Sequence, residues 1–249
     1  MIDWLPPRRP PPPIDEVLWQ AALADCPLAR RLDRPRQMRL RLYAARFLKQ
    51  KRFHPVDMQL GIRERLLIAM QACIPVLELG WKSLRDWQTV IVYPHHFRVH
   101  HDHHDRATGV VTQTDQIRAG EAWQRGPLVL SWQAVRDNLD NPWAGHNVVA
   151  HEIAHKLDML DGTVDGLPIL PKGLSRETWV DTFQQAYDGL HATLDAGLET
   201  AIDPYAATNP GEYFAVVSEL HFSDPHLLAQ VEPAVAAQLH AFYGPSPAP

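Results

Sequence analysis

The run Val149-Ala-His-Glu-Ile-Ala-His-Lys-Leu-Asp-Met-Leu-Asp-Gly162 sets two histidines four residues apart, with a glutamate directly after the first. On an α-helix, positions i and i+4 share a face, so His151 and His155 can aim two imidazoles at one ion. Glu152 then sits beside that ion. Two neutral nitrogen ligands and a carboxylate placed to take a proton from water are the parts a zinc hydrolase needs. Val148, Val149, Ile153, Ala154, Leu157 and Leu160 supply the apolar remainder of a largely buried helix, and no Pro or Gly interrupts Asn147 to Asp161. Asn141-Pro142 reads as the N-cap and first helical residue, and Gly162 as the stop.

The rest of the composition frames this site. At 249 residues, 45% hydrophobic and 21% charged, the chain is long enough to bury a core and has the balance of a soluble globular protein. A net charge of -5 and a pI near 6.3 argue against direct nucleic-acid binding, which calls for a basic face. The two cysteines, Cys26 and Cys73, lack Cys-x-x-Cys spacing, which excludes a thiolate zinc site and suits a reducing cytoplasm. No run approaches the roughly 18 apolar residues of a membrane span, and Met1 to Pro13 has arginines and prolines where a signal peptide is apolar.

Residues 1–13 read as a proline-rich, extended lead-in, and residues 14–243 as a single domain. Its first part, 14–80, is helical, with segments near Asp15 to Ala24, Arg36 to Lys51 and Ile62 to Cys73. The second part, 81–243, holds the sheet and the metal-site helices. Thr89 to Tyr93 and Gly126 to Trp132 are β-branched or aromatic runs that read as strands, and Ala107 to Gln116 has weaker strand character. The stretch Pro127 to Trp132 is a candidate sheet edge on which an extended peptide could add as a strand. Tyr93 to Asp105 holds six of the 14 histidines and reads as an exposed loop with metal affinity. Helices are expected at Ser175 to Leu194, Glu212 to Phe222 and Asp224 to Phe242, and residues 244–249 as a disordered tail.

A catalytic zinc usually takes a third protein ligand. Asp161 lies six residues after His155, at metzincin-like spacing, although Asp158 stands where that type has a glycine. Alternatively a later helix supplies a glutamate, as in gluzincins. Glu212 and Glu219 are seven residues apart and share a helical face.

The segments Gly120-Glu-Ala-Trp123, Gly126-Pro-Leu-Val-Leu-Ser-Trp-Gln133, Asn147 to Asp158 and Asn209-Pro-Gly-Glu-Tyr-Phe-Ala-Val-Val-Ser-Glu219 together resemble the MtfA family, the Mlc titration factor peptidases. The likeness runs from about Arg36 to Tyr243. That family is similar in its catalytic part to the zinc domain of anthrax lethal factor.

The resemblance implies an α+β fold of gluzincin-like zincin type, mainly helical, with a small mixed or antiparallel sheet beside the active-site helix. It implies that His151, His155 and Glu212 hold Zn2+, that Glu152 is the general base, and that Tyr205 stabilises the oxyanion. A tyrosine hydroxyl suits that role because it donates a hydrogen bond without carrying charge. Glu219 and Asp158 then support the ligands or brace the helices. The implied activity is a cytoplasmic, zinc-dependent, aminopeptidase-like peptidase acting on peptide substrates. The alternative is a regulatory protein that binds and inactivates a transcriptional repressor, with zinc mainly structural. The proline-rich start and the histidine-rich stretch are not features of the family.

Overall fold

The computed structural model of the chain describes residues 11–95, 97–104, 111–118, 120–122 and 126–249, with side chains at 11–95 and 126–249. Helices α1 (Glu16–Asp25), α2 (Pro27–Arg31), α3 (Arg34–Gln50) and α4 (Ile62–Cys73) build the first part. The strands are β1 (Arg52–Pro55), β2 (Thr89–Tyr93), β3 (Phe97–His104), β4 (Val111–Arg118), β5 (Gly120–Ala122) and β6 (Leu128–Ser131). Helices α5 (Trp132–Asp140), α6 (Val148–Asp158), α7 (Arg176–Asp195), α8 (Pro210–Ser223), α9 (Pro225–Val231) and α10 (Pro233–Tyr243) follow. The fold is α+β and mainly helical, as the resemblance implies.

The main sheet is mixed, in the order β1-β2-β6-β5. The β1–β2 and β2–β6 pairings are parallel, and β5 runs antiparallel to β6. Strand β6 is buried at every position, which accounts for its unbroken apolar run Leu-Val-Leu. It is therefore an interior strand, not the sheet edge expected of Pro127 to Trp132. The edge on that side is β5, which packs beside α6.

Several boundaries differ from expectation. Asn141-Pro142 does not start the metal-site helix: it follows α5, a separate helix capped by Ser131, whose Oγ accepts from the Ala134 amide at 3.2 Å. Helix α6 starts after Asn147, whose side chain accepts from the Ala150 amide at 3.0 Å. The expected helix over Asp224 to Phe242 is two helices, because Pro233 cannot donate into a helix begun upstream. Most of the histidine-rich stretch is not a loop but strand β3, paired antiparallel with β4 so that His101 faces Thr114 in register. The side chains there, and residues 1–10 of the proline-rich lead-in, lie outside the described residues. The C-terminal tail is docked: Arg31 Nε donates to Pro247 O at 2.8 Å, Arg36 Nη1 donates to Pro245 O at 3.2 Å, and Pro247 is buried.

The apolar core joins both parts of the chain. One region is aromatic, with Trp179 stacked on Phe183 at 4.4 Å between ring centroids and edge-on to Phe214 and Phe242, tying α7 to α8 and α10. On the other side of α6, Lys51 is buried with its ammonium 3.6 Å from the Trp87 ring centroid, donating to the carbonyls of Leu84 and Trp87. Burial pulls its pKa down to about 7. Lys156 reaches the same tryptophan from α6 and donates to Gly126 O at 3.0 Å, which fastens the metal-site helix to the start of β6. No helix among the described residues is long and apolar enough to cross a membrane.

Candidate metal centre

Two helices that pack against each other bring the polar cluster together. Helix α6 carries His151, Glu152 and His155, and α8 carries Glu212 in its first turn and Glu219 two turns later. The entry into α8 is set by Asn209-Pro210: Asn209 Oδ1 accepts from the Glu212 amide at 2.9 Å, and proline at the first helical position forfeits no intrahelical bond. Gly211 lies in the first turn, against Val164 and Asp158. A Cβ there would lie 2.8 Å from Val164 Cγ1 and 3.3 Å from Asp158 Oδ2.

His151 Nε2, His155 Nε2 and Glu212 Oε2 converge. The two nitrogens are 3.1 Å apart, and they lie 3.2 and 3.1 Å from the oxygen, respectively. The edge of a tetrahedron with zinc–ligand arms of 2.0–2.1 Å is about 3.3 Å, so the donor set matches such an ion in chemistry and in spacing. Two imidazole nitrogens and one carboxylate oxygen form a donor set for a divalent metal ion.

Glu219 orients this set. Its Oε1 accepts from His151 Nδ1–H at 2.7 Å, and its Oε2 accepts from the Asn147 amide at 2.6 Å. An ionised carboxylate only accepts, so Nδ1 carries a proton, which leaves Nε2 as the nitrogen that could ligate a metal. Burial opposes a charge on His151, but the Glu219 charge and hydrogen bonds donated to both glutamates raise its pKa well above the usual histidine value. Burial likewise opposes ionised Glu212. Hydrogen bonds from His151 and His155 outweigh it and hold the carboxyl far below the usual carboxylate range.

Glu152 is 2% exposed on the same helix, and its charge acts on His151 and on Lys156. Tyr205 sits on a 3-10 turn, Pro204–Thr208, whose start is capped by Asp203 Oδ1 accepting from the Tyr205 amide at 2.9 Å. Its ring is 6.3 Å from that of His151, centroid to centroid, so it stands beside the cluster.

The two local aspartates stand elsewhere. Asp161 is exposed, and its Oδ1 accepts from the Thr163 amide at 3.1 Å and the Thr163 hydroxyl at 2.9 Å, in a turn outside the three-residue cluster. Asp158 is fully buried, makes no hydrogen bond to an imidazole among the described residues, and accepts from the Gly166 amide at 3.0 Å. Burial pushes its carboxyl up to about 7. Sequence reasoning missed Asn147, which joins the α6 cap to Glu219, and Gly166, which sits against Pro210. An asparagine directly before the apolar run was the available signal for the first.

A histidine pair on one helix turn, with a glutamate between them and another arriving from a later helix, defines the metallopeptidase class of site. The chain matches the glucose-regulated metallo-peptidase M90 family over residues 6–244, and it belongs to that family. It is 38% identical to Mlc titration factor A of Escherichia fergusonii, over 99% of this chain and 93% of that protein. The Klebsiella pneumoniae protein of the same name is 38% identical, over 93% of this chain and 87% of its own. An uncharacterized protein of Synechocystis is 40% identical over 86% of this chain and 78% of its own.

Proposed function

We propose that the protein is a zinc-dependent, aminopeptidase-like peptidase of the cytoplasm, with Glu152 as its general base. The observation that carries this reading is the convergence of His151, His155 and Glu212, with Glu152 and Tyr205 beside them. Bound zinc supplies Lewis acidity, acidifying water and polarising a carbonyl.

His151, His155 and Glu212 would hold the ion, and Glu219, hydrogen-bonded to Nδ1, would keep His151 in the ligating tautomer. Glu152 accepts a proton from the attacking water and returns it to the leaving amine. The Tyr205 hydroxyl donates to the oxygen on which charge develops. An extended peptide adds to the β5 edge beside α6, which brings its carbonyl to the cluster. The aminopeptidase character rests on the family resemblance.

Glu152→Gln is expected to retain metal stoichiometry and to lose peptide hydrolysis by about 100-fold or more. Metal analysis and turnover on the same preparation check both. Undiminished turnover would remove Glu152 from the mechanism. A free amino terminus is tested by comparing peptides with their N-acetylated forms.

The name of two of the relatives, Mlc titration factor A, supports a second reading in which the protein captures an Mlc-like repressor. Repressor capture that is the same for wild type and Glu152→Gln, with peptide libraries left uncut, favours binding over catalysis.

A further inference from the structure

The 3-10 turn Pro204–Thr208 that carries Tyr205 is shaped by two bonds of its own. Asp203 Oδ1 accepts from the Tyr205 amide at 2.9 Å, and the Thr208 hydroxyl donates to Tyr205 O at 2.7 Å. Both are exposed and span at most three residues, so they set the form of the turn and not its place in the molecule. Ala206 is fully buried and presses the turn onto the core, but apolar contact has no preferred direction.

Direction comes from α7. The Tyr187 hydroxyl, 20 positions away in the chain, donates to Ala207 O at 3.1 Å in a part-buried bond. The sequence explains why this carbonyl takes a side-chain donor. A 3-10 turn running one residue further would give Ala207 O the amide of residue 210, and Pro210 has none. Tyr187 is itself fixed through its ring, which stands edge-on to His191 at 4.6 Å and to Tyr213 at 5.9 Å between centroids. Tyr213 directly follows Glu212 in the first turn of α8. One side chain therefore rests its ring on the neighbour of Glu212 and its hydroxyl on the turn that carries Tyr205.

We propose that Tyr187 is a positioning residue for catalysis, whose hydroxyl holds the Tyr205 turn where the Tyr205 hydroxyl meets the oxygen on which charge develops. The inference rests on the peptidase reading above. Ring and hydroxyl have separable duties, so removing the hydroxyl alone shifts Tyr205 and leaves Glu212 in place.

The test compares Tyr187→Phe, Tyr205→Phe and the double variant as full, zinc-loaded chains on one peptide substrate, with zinc affinity read by chelator competition. Tyr187→Phe is expected to lower kcat about 10-fold through misplacement of Tyr205. Its KM and zinc affinity are expected to stay within about twofold of wild type, because the ring that packs on Tyr213 is kept. Tyr205→Phe is expected to lower kcat about 100-fold. The double variant is expected to lose no more than Tyr205→Phe alone, since the bond then has no hydroxyl to position. A bond that served packing alone would leave kcat unchanged or weaken zinc binding and turnover together. The inference is overturned by wild-type kcat in Tyr187→Phe, by losses that multiply in the double variant, or by a parallel loss of zinc affinity. Peptides left uncut by the wild type, or full kcat in Tyr205→Phe, would instead overturn the reading on which it rests.

Discussion

Glu219 uses its two oxygens for two different partners, the His151 ring and the Asn147 amide. An amide side chain cannot serve both. In Glu219→Gln one end becomes a donor, and it meets either the Nδ1–H of the imidazole or the backbone N–H of the cap. The variant is expected to bind zinc about 10- to 100-fold more weakly and to lose about 1–3 kcal/mol of stability from the unpaired buried donor. Competition against a chromophoric chelator and a denaturant melt read the two effects separately. Unchanged zinc affinity would show that the His151 tautomer needs no outside help. At this scale the histidine pair and Glu152 were legible from spacing alone, because one helical turn determines their geometry. Glu212 was not: it is separated from His155 by 57 positions, and only the family resemblance distinguished it from Asp161 and Glu219.

The close packing of helix α8 against the loop that precedes α7 depends on one glycine. Gly166 has φ +76°, and a Cβ there would lie 2.6 Å from Pro210 O, a backbone atom with little room to move. Its own carbonyl accepts from Trp179 Nε1 at 3.0 Å, which ties the loop to α7. Gly166→Ala is therefore expected to cost about 2 kcal/mol or more, from the left-handed backbone and the clash together. It is also expected to weaken zinc binding, since the displaced Pro210 carries Glu212 with it. A melt and a zinc titration check this; a wild-type zinc affinity would show that α8 is held independently of the loop.

The misread elements have a common cause. At α5 the apolar strand run passes into Trp132 through Ser131 alone, which is both the last strand residue and the helix cap, so strand and helix read as one run. The β3–β4 hairpin is built from polar residues whose pairing depends on each other, and local alternation did not reveal it.

Two buried groups give the whole molecule opposing responses to acid. Burial, with the nearby His240 charge, lowers the His221 pKa to about 4, against about 6.5 in the unfolded chain. The unfolded state therefore binds more protons between those values, and this contribution is lost as pH falls from 6.5 through 4. Asp158 has the reverse sign. Its buried carboxyl holds its proton up to about 7, against about 3.9 unfolded, so its contribution is present at low pH and lost as pH rises through 7. Between pH 4 and 6.5 the two largely cancel. Asp158→Asn is expected to uncover the His221 slope, with stability falling toward pH 4 by a few kcal/mol relative to wild type. Denaturant melts of both proteins at pH 7, 5.5 and 4 measure it, and parallel curves would show that Asp158 is ionised when folded.

The metal centre has one further consequence in the time domain. Its parts enter the chain far apart: Glu219 follows the Asn147 amide that it binds by 72 positions, and α7 must be made in between. A ribosome-bound chain that has released only α6 offers an ion the two imidazoles without Glu212, the third member of the cluster. The complete donor set arises only once α8 has docked. Selection of a metal by this three-residue set is thus deferred to the folded protein, and a truncated or stalled chain carries the histidine signature without the assembled cluster.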